Sequence, residues 1–444
     1  MNKKSYSAAM FLFFVVALLA FPQDTLLIRN GKIIPVVGET IPNGSVLIQD
    51  GKIVKVAADI AAPAGAKIID AGGKIVFPGI VAAMTAVGVT GYPGAGNDVN
   101  ELGVTTPHVD PYDALNPEDS TIAVTRIGGV TTVMTISGTM NVINGKSVVI
   151  NLDGNLAEEM ICKRDVAQIF NMGAKGQSMY GPPRAGKYPT TLPGIAALVR
   201  SKLDQAKMYA AKSAAAPMKE DKKSEGGKAQ PQKRDLGMEA LVPVVQGKMP
   251  AVFITHNEVT IRNALSIIDE YNLKGILYAR AGILKYAGRL AAKKIPVIWA
   301  GTTTIPDKWE PFDLNYHTAS ILAEKGVLFC FDLSGFGVNS HNVRNTPVPA
   351  SISVAHGLPE EDALKALTIN PAKILGVENL FGSLESGKVA NIAIWSGSPL
   401  QMSSRVENVF IKGKEIPMTS FQTRLRDKFE KIVAERIHRK QGKK

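Results

Sequence analysis

Cysteine is scarce in this chain: 444 residues contain only Cys162 and Cys330. Two thiols cannot form the set of disulfides that staples small secreted domains. Cys330 lies in the apolar run GVLFCF, which is typical of a buried strand, so we expect a core thiol there. The fold must therefore rest on its hydrophobic core, and a chain of this length with 45% hydrophobic residues can build a large one.

Long apolar runs are also missing, with one exception near the N-terminus. Residues 8–21, AAMFLFFVVALLAF, follow Lys3 and Lys4, and no second such run occurs. This run is shorter than the roughly 20 residues that a membrane-spanning helix needs. The pattern predicts a signal peptide over residues 1–22, cut between Ala20 and Asp24, and export to the periplasm or the cell exterior. An uncleaved anchor is the alternative.

Acidic residues are fewer than basic ones, which gives a formal charge of +12. Residues 421–444 hold nine Lys or Arg against three Asp or Glu. No aromatic residue interleaves with the basic run at 436–444, which argues against nucleic-acid binding. Apolar residues at helical spacing predict a basic amphipathic helix over 417–444. It would pack on the protein body or make weak contact with an anionic membrane surface.

Strand patterns occupy both ends of the mature chain. Residues 24–77 contain short β-rich runs separated by Asn30-Gly31, Asp50-Gly51 and Gly72-Gly73, which favour tight turns between strands. Residues 381–416 return to the same character. We expect these two segments to form one β domain.

The region between them, residues 78–380, alternates strand-like runs with helical patterns, among them 158–171 and 258–271. Buried strands that alternate with helices predict a parallel sheet, and the length suits a (β/α)₈ barrel, so the fold class is α/β. Residues 212–236 are polar and Lys-rich, which favours a disordered insertion in a barrel loop. A domain boundary there is the alternative.

Three stretches together carry a resemblance to a known family. They are LLIRNGKIIPVVGETIPNGSVLIQDGKIVKVA with AGGKIVFPG, AVFITHNEVTIRNALSIIDEYNL, and EEDALKALTINPAKILGVENLFGSLESGKVANIAIWSGSPL. They resemble the amidohydrolase superfamily, on its imidazolonepropionase-like or dihydroorotase-like side. The resemblance implies a (β/α)₈ barrel beside a composite β-sandwich, and hydrolysis of amide, cyclic amide or related C–N bonds. It also implies one or two divalent metals such as zinc, and association into homo- or hetero-oligomers.

The metal ligands of the first barrel strand are replaced. In the family, Pro-Gly is followed by an acidic residue and then by His-x-His. Alignment on Pro78-Gly79 puts Ala82 at the acidic position and Met84 and Ala86 at the histidine positions. An aliphatic side chain cannot bind a metal, and a thioether is a poor ligand for zinc.

Other site positions are partly retained in the resemblance. His256 falls where the family places a metal histidine, and the alternative is a polar residue that caps the strand and bonds to a neighbour. Asp332, or Ser334 in another alignment, falls where the family places an aspartate that is metal ligand and general base. Arg280 lies near the next histidine position and would repel a cation. Asp332 and Arg280 are expected to form an ion pair. His341 and Arg344 follow the last strand and, with Arg280, are predicted to bind a substrate or another anionic ligand.

The function stays open between two hypotheses. The first is an exported hydrolase of C–N bonds with a reduced or relocated metal centre, which acts on a small molecule. A new metal site at His108, Asp110 and Asp113 is one version of it. The second is a catalytically inactive scaffold, or the partner subunit of an active paralogue, with no metal.

Overall fold

The structure is a computed structural model that describes residues 25–90, 98–99, 101, 103–173, 188–215, 234–304, 316–333 and 337–441. The predicted signal peptide over 1–22 lies outside the described residues. Of the predicted insertion at 212–236, residues 216–233 also lie outside them. Residues 212–215 belong to a long helix, and Leu236 begins the next one.

The strands are numbered in chain order. They are β1 Thr25–Ile33, β2 Ile41–Gln49, β3 Lys52–Ala57, β4 Lys67–Asp70, β5 Ile75–Pro78, β6 Ile80–Thr85, β7 Val130–Ile136, β8 Ser147–Asn151, β9 Ile161–Lys163, β10 Gln168–Asn171, β11 Ala251–Thr255, β12 Gly275–Ala279, β13 Val297–Trp299, β14 Phe329–Phe331, β15 Ile392–Trp395, β16 Val406–Ile411 and β17 Lys414–Ile416.

The helices are numbered in the same way. They are α1 Ser120–Arg126, α2 Ala157–Met160, α3 Leu192–Ala215, α4 Leu236–Val245, α5 Glu258–Tyr271, α6 Ala287–Lys293, α7 Thr318–Glu324, α8 Pro347–Ala355, α9 Glu360–Leu367, α10 Ile369–Leu375 and α11 Phe421–Gln441. Short 3₁₀ helices cover Pro111–Ala114, Leu284–Tyr286 and Gly337–Asn345. None of the helices in the described part of the chain combines the length and apolar composition that a bilayer span requires.

The two terminal β segments share one eight-stranded sheet. Its order is β17-β16-β15-β5-β1-β2-β3, with β4 beside β1. Strand β5 joins the two segments, because it pairs in parallel with β1 and antiparallel with β15. Asp50 adopts a positive φ angle of 49° in the turn between β2 and β3, where the sequence predicted a tight reversal. The turn expected at Asn30-Gly31 is wrong: both residues lie inside β1, at a shift of its pairing register with β2, and Asn30 has a φ angle of 58° there.

Gly79 carries the chain directly from this sheet into the central region. A Cβ added there would lie 2.1 Å from the Thr131 hydroxyl at the start of β7. Only glycine therefore lets β5 continue into β6 at this contact.

The central strands form two separate hydrogen-bonded sheets. One is β6-β7-β8-β9, in which only the β6–β7 pair is parallel. The other is β10-β11-β12-β13-β14, in which every pair is parallel. The described residues therefore do not form a single closed eight-stranded sheet, because the chain after β7 returns antiparallel as β8. Ile143 bridges to both Thr105 and Phe170, between the two sheets.

The helix predicted over 158–171 is wrong. The structure has the single turn α2, then the strands β9 and β10. All four residues of β10 are buried, so the strand lacks the period-two polar alternation that distinguishes a strand from a buried helix. The helix predicted over 258–271 is confirmed at both ends by α5.

Alternate residues of β10–β14 point to opposite sides of their sheet. One set packs against the helices, as Phe253, Leu277 and Phe331 do. The other set faces a second core that also includes residues of β6 and β7. This second core lies directly beneath the candidate site, and its members on β10–β14 are Ile169, Val252, Ile254, Ile276, Tyr278, Ile298 and Cys330.

Candidate functional site

A cavity of about 690 Å³ lies at the carboxyl ends of β10–β14. Each of these five strands supplies one residue at or just beyond its end: Asn171, His256, Arg280, Ala300 and Asp332. Each is two residues beyond a member of the second core, so the strand alternation turns all five toward the cavity. In parallel α/β folds, ligands bind at this edge of the strands.

Asp332 is buried at the floor of the cavity, with 3% of its surface exposed. Its Oδ2 accepts a hydrogen bond from the Tyr278 hydroxyl at 3.1 Å. Burial, and secondly the Asp332 carboxylate, raises the pKa of Tyr278 well above its usual value. The phenol therefore stays protonated at neutral pH and remains a donor. Burial beside the same carboxylate raises the pKa of the Cys330 thiol.

The expected ion pair between Asp332 and Arg280 is not found. Among the described residues, no carboxylate oxygen lies within 4.0 Å of the Arg280 guanidinium, and Asp332 is hydrogen-bonded to Tyr278 instead. Arg280 is partly buried and lines the cavity. The site thus presents a permanent cation whose charge no described carboxylate neutralises at contact distance.

His256 is held between β11 and α5. Its backbone N–H donates to the Thr260 hydroxyl at 3.0 Å, and the side chain of the next residue, Asn257, caps α5. The imidazole lies against the backbone that follows β10, since a Cβ added to Gly173 would lie 1.9 Å from the His256 Cδ2. His256 is half-buried and lines the cavity, and its ring atom Nε2 is buried.

The 3₁₀ helix Gly337–Asn345 explains which residues after β14 reach the cavity. A 3₁₀ helix has three residues per turn, so residues three apart share one side. Asn339, Asn342 and Asn345 form the row that lines the cavity. Ser340 and Val343 form a fully buried row, and the Ser340 hydroxyl accepts from the Ala86 N–H at 3.1 Å.

His341 and Arg344, which the sequence suggested as ligand-binding residues, belong to the third row and are not among the residues that line the cavity. Arg344 donates to the His341 carbonyl at 2.7 Å. The Cβ of Arg344 packs beside Gly128, and burial lowers the pKa of its guanidinium. The asparagines were missed, although the spacing Asn-x-x-Asn-x-x-Asn in NSHNVRN is the signal that could have found them.

The first strand of the central region supplies no polar side chain at the positions singled out from the sequence. Ala82, Met84 and Ala86 are at most 1% exposed, and Met84 packs in the second core with Met134 and Tyr278.

Comparisons with known proteins identify the family. The solved structure of an amidohydrolase from Thermotoga maritima is 32% identical to this chain, covers 88% of it and 99% of the other chain, and superposes with a TM-score of 0.79. The chain belongs to the amidohydrolase family. The model of this family also matches residues 321–416.

Two further relatives of this amidohydrolase-family chain are more distant. The amidohydrolase tasK of Hapsidospora irregularis is 24% identical over 372 residues, which are 79% of this chain but 37% of that protein. The chain thus spans little more than a third of the length of this curated relative. The chlorohydrolase TrzN of Arthrobacter aurescens, solved with zinc, is 13% identical, covers 92% and 98% of the two chains, and has a TM-score of 0.51. That likeness shows the fold alone.

The donor set of this amidohydrolase-family chain fits the family's metal poorly. In the part of the chain that the structure describes, no three His, Cys, Asp or Glu side chains lie close enough to hold one ion. Protein zinc sites ordinarily use three or four such ligands. Among its described lining residues the cavity has one imidazole and one carboxylate, and Arg280 stands beside them.

The second metal site suggested by the sequence is not assembled either. Asp110, which was grouped with His108 and Asp113, pairs with Arg164 at 2.7 Å and caps the 3₁₀ helix that follows it.

Proposed function

We propose that this amidohydrolase-family chain binds a small molecule with a carboxylate or similar anionic group at the cavity, without the metal centre of the family. The observation that carries the proposal is Arg280, a permanent cation that lines the cavity without a carboxylate partner among the described residues. A guanidinium binds a carboxylate through two parallel hydrogen bonds, and partial exclusion of water strengthens the contact.

The rest of the lining suits an anion that is held at one end. One carboxylate oxygen of Asp332, Oδ2, already accepts a hydrogen bond from the Tyr278 hydroxyl. Asn339, Asn342 and Asn345 add neutral amide groups, which donate hydrogen bonds without charge repulsion. A ligand with a carboxylate on Arg280 and polar groups toward the asparagines matches this distribution.

Matched pairs of ligands test this proposal. N-acetyl amino acids and their neutral carboxamides differ only in the anionic group, and titration calorimetry measures their binding. We expect binding of acids but not of amides, and at least about a tenfold loss of affinity in Arg280→Gln, because a charge-assisted hydrogen bond contributes about 1.5–3 kcal/mol. Arg344→Gln, outside the lining, is the matched control and keeps the affinity. Equal binding of acids and amides would refute the proposal.

A second candidate is hydrolysis of C–N bonds, as in the family, with a reduced or relocated metal centre. The observation that favours it is that His256 and Asp332 both line the cavity. In this version both side chains would hold a metal such as zinc, and Asp332 would be the catalytic base. Zinc-dependent turnover of an amide substrate, lost in His256→Ala, would support it over the binding function. A chain inactive in this assay that pairs with an active paralogue would be a scaffold subunit.

The two central sheets belong, in this proposal, to one (β/α)₈ barrel. The parallel strands β6, β7 and β10–β14 supply seven of its positions. The bridges of Ile143 to Thr105 and Phe170 support a place for this segment between β7 and β10. The composite β-sandwich of the family corresponds to the eight-stranded sheet.

Export is a further part of the proposal. The support is the basic pair Lys3 and Lys4, and the apolar run 8–21 with the small residues Ala17 and Ala20 near its end. Mass spectrometry of the protein from the periplasm or medium tests it. A new N-terminus between residues 20 and 24 would agree, and an intact Met1 would contradict cleavage.

A further inference from the structure

Helix α11 starts on the protein body, and its described side chains from Arg426 to Ile437 are exposed, except for the partly buried Ile432. Ser420 and Thr423 cap it reciprocally: the Thr423 N–H donates to the Ser420 hydroxyl at 3.2 Å, and the Ser420 N–H donates to the Thr423 hydroxyl at 2.8 Å. Phe421 and Leu425 are partly buried. The first turns are therefore fixed to the fold, which sets the position of the rest of the helix.

Three large apolar side chains are exposed farther along the same helix. Phe429 is 55% exposed, Val433 is 53% exposed and Ile437 is 49% exposed. They are four residues apart, so they lie along one side of the helix. An apolar row of this kind normally faces a core, and three consecutive exposed members indicate a surface that another phase or molecule covers.

The charges of α11 are divided along its length. Arg426 pairs with Asp427 at 2.7 Å and lies 3.9 Å from Glu430, so basic and acidic groups offset each other near its middle. Residues 431–444 instead contain six Lys or Arg and one Asp or Glu, a net charge of +5. The exposed apolar row therefore enters the most basic stretch of the C-terminal region.

We propose that the distal part of α11 docks on an anionic lipid surface. Apolar side chains in one row would enter the acyl boundary, while nearby Lys and Arg side chains reach the lipid phosphates. The charge decides between partners: pairing of two copies through this helix would bring two segments of net charge +5 together, which is unfavourable. Anionic phospholipid supplies both the apolar phase and the complementary charge.

The experiment uses residues 25–444, which contain every described element and omit the apolar run 8–21. Co-sedimentation measures binding to phosphatidylcholine vesicles with and without phosphatidylglycerol. The test variant is Phe429→Ser, Val433→Ser and Ile437→Ser combined. The control combines Leu156→Ser and Met402→Ser, two other apolar side chains that are 59% and 74% exposed. All five positions are on the surface, so circular dichroism is expected to be unchanged.

We expect binding to the anionic vesicles that is at least about tenfold tighter than to neutral ones and weakens with added salt. The triple variant should lose this binding, and the control should keep it. Three results would each overturn the proposal: no binding of the unmodified chain to anionic vesicles, equal binding of the triple variant, or equal binding to neutral vesicles. Light scattering that shows a dimer which the triple variant converts to a monomer would instead assign the row to self-association.

Discussion

Removal of the buried Tyr278 hydroxyl tests how much its hydrogen bond to Asp332 stabilises the fold. In Tyr278→Phe the ring remains, and the donor to Asp332 Oδ2 is lost. Tyr278 and Asp332 are 4% and 3% exposed, so water cannot readily replace the bond. A hydrogen bond to a charged group contributes about 1.5–3 kcal/mol, and we expect Tyr278→Phe to lower the free energy of unfolding by about 2–3 kcal/mol.

Tyr271 offers a matched control for this change. Its hydroxyl lies 2.9 Å from the carboxylate of Asp204, which is exposed. Because water can solvate that carboxylate after the change, we expect Tyr271→Phe to cost only about 0.5–1.5 kcal/mol. Urea unfolding at neutral pH, followed by tryptophan fluorescence, compares the two. If Tyr278→Phe lowered the free energy of unfolding by no more than Tyr271→Phe does, a stabilising hydrogen bond between Tyr278 and Asp332 would be refuted.

The raised pKa of Tyr278 adds a pH dependence of known sign. An unfolded tyrosine ionises near its usual pKa of 10.0, whereas the folded phenol stays protonated to higher pH. Its contribution to stability is therefore complete below pH 10.0 and is lost as the pH rises above it. The loss amounts to about 1.4 kcal/mol per pH unit for one group. In Tyr278→Phe the free energy of unfolding should fall less steeply above pH 10.0, by about 1.4 kcal/mol per pH unit. An unchanged slope would contradict a raised pKa of Tyr278.

Two further predictions concern packing and thiol chemistry. Gly173→Ala places a Cβ against the His256 ring, so we expect a loss of about 1–3 kcal/mol in urea unfolding. Gly288→Ala in α6, where an added Cβ has open space, should be neutral or stabilising, and equal losses would contradict the contact. Burial raises the pKa of Cys162 to about 12 and also raises that of Cys330. A thiol reagent at pH 8 should therefore label the folded chain far more slowly than the urea-unfolded chain, and equal rates would contradict these shifts.

Local patterns allowed much of the scaffold to be predicted from sequence. The turn at Asp50 and the helix Glu258–Tyr271 follow from short-range chemistry, and the structure shows both. Asn30-Gly31 carries the same turn signal but lies inside β1, at a shift of the strand register. The prediction of a helix over 158–171 failed because β10 is buried on both faces, and such a strand shows no alternation of apolar and polar residues. Strand pairing after β7 depends on contacts distant in sequence, so the antiparallel return of β8 could not be predicted.

The site was harder to predict than the scaffold, for two physical reasons. Tyr278 lies inside the apolar run GILYA, which reads as a buried strand, so a hydrogen bond from its hydroxyl to Asp332 was not predicted. Arg280 was predicted as the partner of Asp332 instead. His341 and Arg344 were expected at the cavity because they follow the last strand. The period of three in the 3₁₀ helix turns other residues toward it, and that backbone conformation was not visible in the sequence.

Metal content per chain tests the central claim most directly, because the claim is that the cavity at the ends of β10–β14 does not assemble the metal site of the family. The protein is purified without added metal, and elemental analysis is performed before and after zinc loading, on the unmodified chain and on His256→Ala. We predict less than about one tenth of an equivalent of zinc, manganese or iron in every sample, since the one imidazole and one carboxylate among the described lining residues hold an ion too weakly. One equivalent in the unmodified chain that is lost in His256→Ala would contradict the account.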